Sequence, residues 1–377
     1  MNVTELLTLY GTVKESEISK RYITLKRILP ILKKLPTQFK IQIIGKSVQA
    51  RDIYHIQVGT GKVKLLMWSQ MHGNESTTTK ALIDFLNYLQ TKDGEQLLTK
   101  CTLSIIPILN PDGAKAYTRV NANRIDLNRD AQSLSQPESK VLRAEFDRFQ
   151  PDYCFNLHDQ RTIFSAGETS LPATVSFLTP AENDERSVTA IRKKSMELIV
   201  AMNKILQEFI PNQVGRYDDG FNLNCVGDTF QTLQVPTVLF EAGHYPKDYN
   251  RDETRKYIFF AIKTGVHAIV ENEITGEGFQ NYFDIPQNDK LFFDIIIKSL
   301  VKNEQSAELE DVAIQYVEKL SGSKVNFVPE IVKIGNLKGF HGHQEIDTNH
   351  LNLSPINKNE ATLKKIENLF RKNIIFE

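Results

Sequence analysis

The sequence VKLLMWSQMHGNE, residues 63–75, joins a mostly apolar run to a histidine and a glutamate three positions apart. The apolar run predicts a buried strand, and the polar end predicts the turn into the next helix. His72 and Glu75 could therefore face one metal ion from a strand end and a first helical turn. Zinc binds both residue types, and catalytic zinc sites commonly use three protein ligands. Because this pair also occurs by chance, a metal site is predicted only if a third ligand exists.

Strands and helices alternate along the chain on both sides of this stretch. Strands are predicted at residues 41–44, 53–58, 63–68, 102–109, 153–157 and 237–240. Helices are predicted at residues 13–34, 75–90, 137–149, 186–209 and 251–270. This alternation favours an α/β fold in which helices cover both faces of a mostly parallel, mixed central sheet.

The pattern divides the chain into three segments. These are an N-terminal helical segment, residues 1–38, a central α/β domain, residues 39–275, and a C-terminal appendage, residues 276–377. The boundary is placed where Thr275-Gly-Glu-Gly278 interrupts the alternation.

The appendage differs in pattern from the rest of the chain. Helices are predicted at residues 294–301 and 310–320, and a β-like, glycine-containing piece at residues 325–342. We therefore expect a small α+β unit. Its pair His341-Gly-His343 has no nearby carboxylate or cysteine in support, so a loop is favoured over a second metal site. The role of the appendage is left open.

Composition argues against several classes of protein. The 377 residues include 46 basic and 46 acidic side chains, so no basic nucleic-acid-binding surface is expected. The isolated Cys101, Cys154 and Cys225 argue against a disulfide framework or a thiolate zinc site. No apolar run is long enough for a membrane span, and the first residues lack the pattern of a secretory signal. A cytoplasmic location is expected, and the oligomeric state is left open.

Polar residues follow four of the predicted strands. His72 follows the first of these strands, and Asn110, His158 and Glu241 come directly after the other three. Ligands collect at the carboxyl ends of the strands in a doubly covered sheet, so these side chains are expected to meet. Besides His72, only His158 of the eight histidines follows a buried strand, and it precedes a carboxylate. It is therefore the best third ligand.

The order of these residues resembles that of the metallocarboxypeptidase family, the carboxypeptidase A-like zinc carboxypeptidases. The matching motifs are His72-Gly-Asn-Glu75, Arg119, Asp126-Leu-Asn128-Arg129, Asn156-Leu-His158 and Phe240-Glu241-Ala-Gly. Each motif alone is weak, whereas the combination in this order is specific. The resemblance covers the chain from Phe39 to Val270 and implies the zinc carboxypeptidase fold.

The resemblance also implies a metal centre. One Zn²⁺ per chain would be bound by His72, Glu75 and His158. Asp126 would accept the ring N–H of His72 and fix its tautomer. Glu241 would act as the general base that takes a proton from water and passes it to the leaving amine.

Further residues are implied to contact a peptide substrate. Arg129, with Asn128, would hold the free C-terminal carboxylate in a two-point contact, and Arg119 would stabilise the oxyanion. Tyr217 matches the tyrosine that closes over substrate in the family, although a tyrosine packed by its ring fits equally well. Arg124 stands where many relatives have glycine. It either adds a cation that favours acidic substrates or is a solvated loop residue.

The predicted function is zinc-dependent hydrolysis of C-terminal peptide bonds in small peptides. Residues between Gly220 and Phe230 are expected to line the pocket for the terminal side chain. Three alternatives stay open. They are a zinc-dependent deacylase of N-acyl amino acids, a peptidase for γ-glutamyl cell-wall peptides, and a non-catalytic binding protein that retains the fold.

Overall fold

A computed structural model describes residues 2–271, 274–303 and 306–347 of the chain. Its largest sheet has eight strands in the order β1-β2-β4-β3-β5-β9-β7-β8. The strands of the described residues are β1 Lys40–Lys46, β2 Asp52–Gly59, β3 Val63–Ser69, β4 Cys101–Ile106, β5 Tyr153–Asp159, β6 Ser165–Ala166, β7 Val175–Leu178, β8 Val214–Arg216, β9 Thr237–Ala242, β10 Asn288–Asp289, β11 Phe292–Asn303, β12 Ser306–Ser321, β13 Lys324–Gly335 and β14 His341–Asp347. Strands β4, β3, β5 and β9 are mutually parallel neighbours.

Helices surround this central sheet. They are α1 Val3–Val13, α2 Leu25–Leu32, α3 Thr77–Tyr88, α4 Lys92–Leu98, α5 Pro111–Ala116, α6 Pro137–Phe149, α7 Ala190–Gln207, α8 Val226–Thr232 and α9 Asp252–Val270, with short 3₁₀ turns at Leu127–Arg129 and Phe279–Tyr282. None of the helices in the described ranges is long and apolar enough to cross a membrane.

Strand β3 shows why helices cover both faces of the sheet. Its side chains alternate, so Leu65 and Met67 belong to one apolar cluster while Leu66 and Trp68 belong to another. The first cluster includes α1, α2, α3, α4, α7 and α9, and the second includes α6 and α8. A strand buried on both faces reads as a continuous apolar run, as in residues 63–68. The predicted α/β architecture is confirmed.

The sequence predicts a largely helical stretch at residues 13–34 that Pro30 kinks or splits in two. This prediction is wrong, because residues 14–24 are not helical and Pro30 lies inside α2. The chain forms two helices, α1 and α2, separated by an irregular segment. The buried guanidinium of Arg255 donates to the carbonyl oxygens of Ile18 and Glu15, and the backbone N–H of Glu15 donates to Asp84. These tertiary contacts satisfy backbone groups that a helix would otherwise pair.

The appendage is also corrected, because the predicted helices at residues 294–301 and 310–320 are strands. Strands β11 to β14 form a four-stranded sheet in the order β13-β12-β11-β14. Ile295 and Ile297 on β11 contribute to one apolar cluster, and Ile296 contributes to another. Because both faces are apolar, the run lacks the polar alternation that marks a half-buried strand. Residues 348–377 of the appendage lie outside the described residues.

We call strands β11 to β14 the C-terminal sheet. It contacts the loop after β5, where the Phe292 N–H donates to the Ile163 carbonyl at 3.1 Å. His343 Nε2 lies 2.7 Å from the Thr162 carbonyl oxygen. The ring centroids of His343 and His244 are 4.1 Å apart. His343 therefore sits on a strand at an interface, where the sequence favoured a loop.

The His244–His343 contact predicts a pH-dependent stability. Burial lowers the pKa of His343 to about 4, and burial and the neighbouring His343 lower that of His244. An unfolded histidine has its pKa near 6.5 and binds its proton first as pH falls, so protonation favours unfolding. Between pH 7.5 and pH 5, the His343 contribution lowers the free energy of unfolding by about 2 kcal/mol.

Urea denaturation at the two pH values checks this expectation. The decrease in the free energy of unfolding should be smaller in a His343→Gln variant, which keeps a donor for the Thr162 carbonyl. Equal decreases in the variant and the unsubstituted protein would contradict it.

Candidate active site

The carboxyl ends of neighbouring parallel strands bring the predicted site residues together. His72 lies three residues beyond the end of β3, and Glu75 directly precedes Ser76, the N-cap of α3. His158 lies in β5 and pairs in register with Glu241 in β9. Asn110 instead caps α5, and its Nδ2 donates to the Met71 carbonyl at 3.1 Å, which holds the loop that presents His72.

His72, Glu75 and His158 form a compact group of buried ligand atoms. Glu75 Oε1 lies 2.8 Å from His72 Nδ1, and Glu75 Oε2 lies 2.8 Å from His158 Nδ1. The two Nδ1 atoms are 3.0 Å apart. Within the described residues this is the one group of three or more histidine, cysteine, aspartate and glutamate side chains with ligand atoms all within 4.8 Å of one another.

Asp126 lies outside this group and contacts the ring of His72. Its Oδ1 lies 2.9 Å from His72 Nε2, on the opposite side of the ring from Glu75. Burial opposes ionisation of Asp126, but the hydrogen bond and charge of His72, with Arg119, hold its pKa well below the usual range. An ionised Asp126 accepts the Nε2 proton, and this leaves His72 Nδ1 free to face the group.

Replacing Asp126 should therefore weaken metal binding. We expect Asp126→Asn to lower zinc affinity by roughly 10–100-fold, since an amide does not fix the His72 tautomer as a carboxylate does. Competition with a chromophoric chelator measures the affinity. Asp147→Asn is the matched control, because Asp147 is an exposed residue paired with Arg143 on α6. Equal affinities in the two variants would remove Asp126 from the metal centre.

Glu241 presents a carboxylate without a partner to the same cavity. Its Oε2 is buried and has no hydrogen-bond partner in the part of the chain that the structure describes. Burial, followed by the charges of Glu75 and Asp159, raises the pKa of Glu241 well above its usual value. An unpaired carboxylate with a raised pKa has the property expected of a general base, which must bind and release a proton.

Arg119 lies beside the carboxylates of Glu75 and Asp126. Its Nη1 is 3.3 Å from Glu75 Oε1, and its Nε is 3.0 Å from Asp126 Oδ2. The side chain is 48% exposed and lines the cavity, so it places a cation at the edge of the group.

Asn128 and Arg129 lie on the 3₁₀ turn at Leu127–Arg129, next to α8. Asn128 Oδ1 accepts from the backbone N–H of Val226 at 3.0 Å. Arg129 is exposed and lines the cavity, and its Nη1 donates to the Asn128 carbonyl at 2.7 Å and contacts Cys225 Sγ at 3.2 Å. It has no carboxylate partner among the described residues, so its guanidinium is available to an anion.

The predictions for Tyr217 and Arg124 have different outcomes. Tyr217 lines the cavity, and its ring packs edge-on against Phe164 with centroids 5.2 Å apart. Burial and the charges of Glu241 and Glu75 raise its pKa, so the phenol stays a neutral donor. Arg124 is exposed, has a φ of 63°, and does not line the cavity formed by the described residues. The structure does not bring it to the other site residues.

The cavity at this site has a volume of about 700 Å³. As expected, residues between Gly220 and Phe230 line it, including Cys225, Gly227 and Asp228. Asp228 is buried, and burial raises its pKa to about 6. Some residues that line the cavity lie outside residues 39–275, and sequence reasoning missed them because no local motif marks them. They are Arg21, Asp294, Gln315, Tyr316, Val317, Glu318 and Phe327.

Comparisons with known sequences agree with this geometry. Residues 28–153 match the family model of the zinc carboxypeptidases, a range that includes His72, Glu75 and Arg129 but ends before His158 and Glu241. Carboxypeptidase SOL1 of Arabidopsis thaliana is 24% identical over 260 residues, which are 61% of this chain and 53% of that protein. Carboxypeptidase 2 of Trichophyton tonsurans is 31% identical over 113 residues, 29% of this chain and 20% of that protein. The chain thus spans about half and about a fifth of the lengths of these two curated relatives.

Solved structures share the fold. The metallo-carboxypeptidase from Burkholderia cenocepacia superposes with a TM-score of 0.51 and 18% identity, covering 65% of this chain and 68% of that chain. The carboxypeptidase A from Helicoverpa armigera gives a TM-score of 0.50 and 17% identity, covering 72% of this chain and 81% of that chain. Residues 28–153 are thus similar in sequence to the zinc carboxypeptidases, the metallocarboxypeptidases, and the chain shares the fold of solved carboxypeptidases.

Proposed function

We propose that the chain is a zinc-dependent carboxypeptidase that hydrolyses the C-terminal peptide bond of small peptides. One observation carries the proposal. The group His72, Glu75 and His158 shares a cavity with an unpaired carboxylate, Glu241, and with Arg129, a guanidinium without a carboxylate partner. A metal centre, a base and an anion-binding residue are the three parts that this reaction requires.

The residues present fit zinc. Two imidazoles and one carboxylate form a donor set used by catalytic zinc sites, and the three donor atoms already lie close together. His72, Glu75 and His158 would hold the ion, with Asp126 fixing the His72 ring. When bound, zinc lowers the pKa of water and polarises a carbonyl group.

The side chains of the cavity would divide the remaining work. Arg129 binds the terminal carboxylate of the peptide, because a guanidinium matches a carboxylate in two-point contact. Glu241 Oε2 takes the proton of the attacking water and delivers it to the nitrogen of the leaving amino acid. Arg119 stabilises negative charge on the former carbonyl oxygen, and Tyr217 donates a hydrogen bond over the bound peptide.

Digestion of a peptide library tests the proposal. Protein loaded with zinc is incubated with the library, and products are read by mass spectrometry against protein stripped with a chelator. Loss of single residues from C-termini, only with zinc, is the expected result. A parallel reaction with N-acetyl and N-succinyl amino acids distinguishes the deacylase, and γ-glutamyl peptides distinguish the cell-wall peptidase. Protein that neither binds zinc nor turns over any of these substrates would leave the binding-protein alternative.

A further inference from the structure

The C-terminal sheet supplies one wall of the active-site cavity. Asp294 on β11, residues 315–318 on β12 and Phe327 on β13 line it together with the metal-site residues. Tyr316 and Phe327 form an aromatic cluster with Tyr249 of the loop after β9, whose ring lies 5.3 Å from Tyr316 and 5.2 Å from Phe327. The cavity is therefore shared between the central α/β unit and the C-terminal sheet.

Polar contacts fix this wall against separate segments of the central unit. Glu318 pairs with Arg21 at 3.0 Å and accepts from the Tyr117 hydroxyl. Tyr249 donates its hydroxyl to Asp294 at 2.9 Å. Arg21 and Asp294 are buried, so each contact has one partner shielded from water, and leaving that partner unpaired would be costly. The described part of the sheet is thus held as a fixed wall.

This wall and Arg129 contact elements that pack on opposite faces of the central sheet. Arg129 is next to the start of α8, whose Val226 packs in the apolar cluster on the second face of the central sheet. The wall instead contacts Arg21, which follows α1, and it lines the cavity together with Arg251, the N-cap of α9. Helices α1 and α9 both pack in the apolar cluster on the first face of the central sheet. The cavity therefore crosses the carboxyl edge of the sheet from one face to the other.

We propose that the C-terminal sheet limits the length of the substrate. The inference rests on the proposed function, which sets the register. With the terminal carboxylate at Arg129 and the reacting bond at the metal group, the preceding residues of a peptide run toward the sheet. An extended residue spans about 3.5 Å, so we expect a cavity of about 700 Å³ bounded by this wall to take about two to three residues.

A length series tests the inference on the full chain. Peptides of two to six residues share one C-terminal dipeptide, and kcat/KM is measured for each with zinc present. We expect kcat/KM to fall by roughly tenfold or more beyond three residues, since the wall excludes further groups sterically. Val317→Trp fills the wall and should lower kcat/KM for the tripeptide more than for the dipeptide. Val332→Trp, the same change at a 45% exposed position of β13, should leave the series unchanged.

The outcomes separate this inference from the proposed function. Equal kcat/KM for the dipeptide and the hexapeptide would overturn the length limit while leaving the carboxypeptidase proposal intact. So would identical series for Val317→Trp and Val332→Trp. If no peptide is hydrolysed, the carboxypeptidase proposal fails, and N-acetyl and N-hexanoyl amino acids replace the peptides. Faster hydrolysis of the N-acetyl than of the N-hexanoyl amino acid, with a larger difference in Val317→Trp, then supports the length limit. Equal rates for the two substrates overturn it.

Discussion

Glu241→Gln is expected to lower kcat by roughly 10²–10⁴-fold while leaving one zinc ion bound per chain. Glutamine keeps the size of the side chain but cannot accept the proton of the attacking water. Steady-state hydrolysis of a peptide from the library and elemental analysis of the purified variant measure the two quantities. Because Glu241 Oε2 is unpartnered among the described residues, the substitution breaks no hydrogen bond of that oxygen in the unliganded protein.

A matched glutamate controls for loss of charge. Glu185 is exposed and does not line the cavity of the described residues, so Glu185→Gln should retain full activity. Loss of zinc from Glu241→Gln would contradict the role of general base, because it would mean that Glu241 is a metal ligand. Retained turnover would contradict it as well.

Arg129→Ala is expected to lower kcat/KM for peptides with a free C-terminus by roughly 10²–10³-fold. Two hydrogen bonds between a guanidinium and a carboxylate are together worth about 3–4 kcal/mol when desolvated. Arg129→Lys should recover only part of this loss, since an ammonium group cannot make the same two-point contact. Steady-state kinetics on one peptide, with all variants zinc-loaded, measure the effect.

Arg124 offers the control for this prediction. It is an exposed arginine five residues earlier in the same loop, and it does not line the cavity in the described part of the chain. Arg124→Ala should therefore leave kcat/KM unchanged. If Arg124→Ala loses as much activity as Arg129→Ala, the assignment of the carboxylate-binding residue is wrong.

The central sheet and the metal group were predictable because local sequence determines both. Residues 63–68 form a strand buried on both faces, and such a strand needs a continuous apolar run. His158 could be found from the sequence because it ends a buried strand and precedes a carboxylate. Parallel strands present their carboxyl ends at one edge, so His72, His158 and Glu241 had to meet.

The two ends of the chain were not predictable in the same way. Residues 14–24 carry helix-like spacing, but the buried Arg255 and Asp84 take up their backbone groups, and these partners lie far away in sequence. The C-terminal sheet is apolar on both faces, so its residues lack the alternation of polar and apolar side chains that predicts a strand. Its position over the cavity depends on contacts such as Arg21–Glu318, which no local pattern encodes.

The proposed activity is tested most directly by one mass-spectrometric measurement. Zinc-loaded protein is incubated with a peptide that has a free C-terminus and with the same peptide as its C-terminal amide. We predict that the free acid loses its last residue while the amide stays intact, because only the acid offers Arg129 a carboxylate. Removal of the N-terminal residue, or equal cleavage of the acid and the amide, would contradict the account.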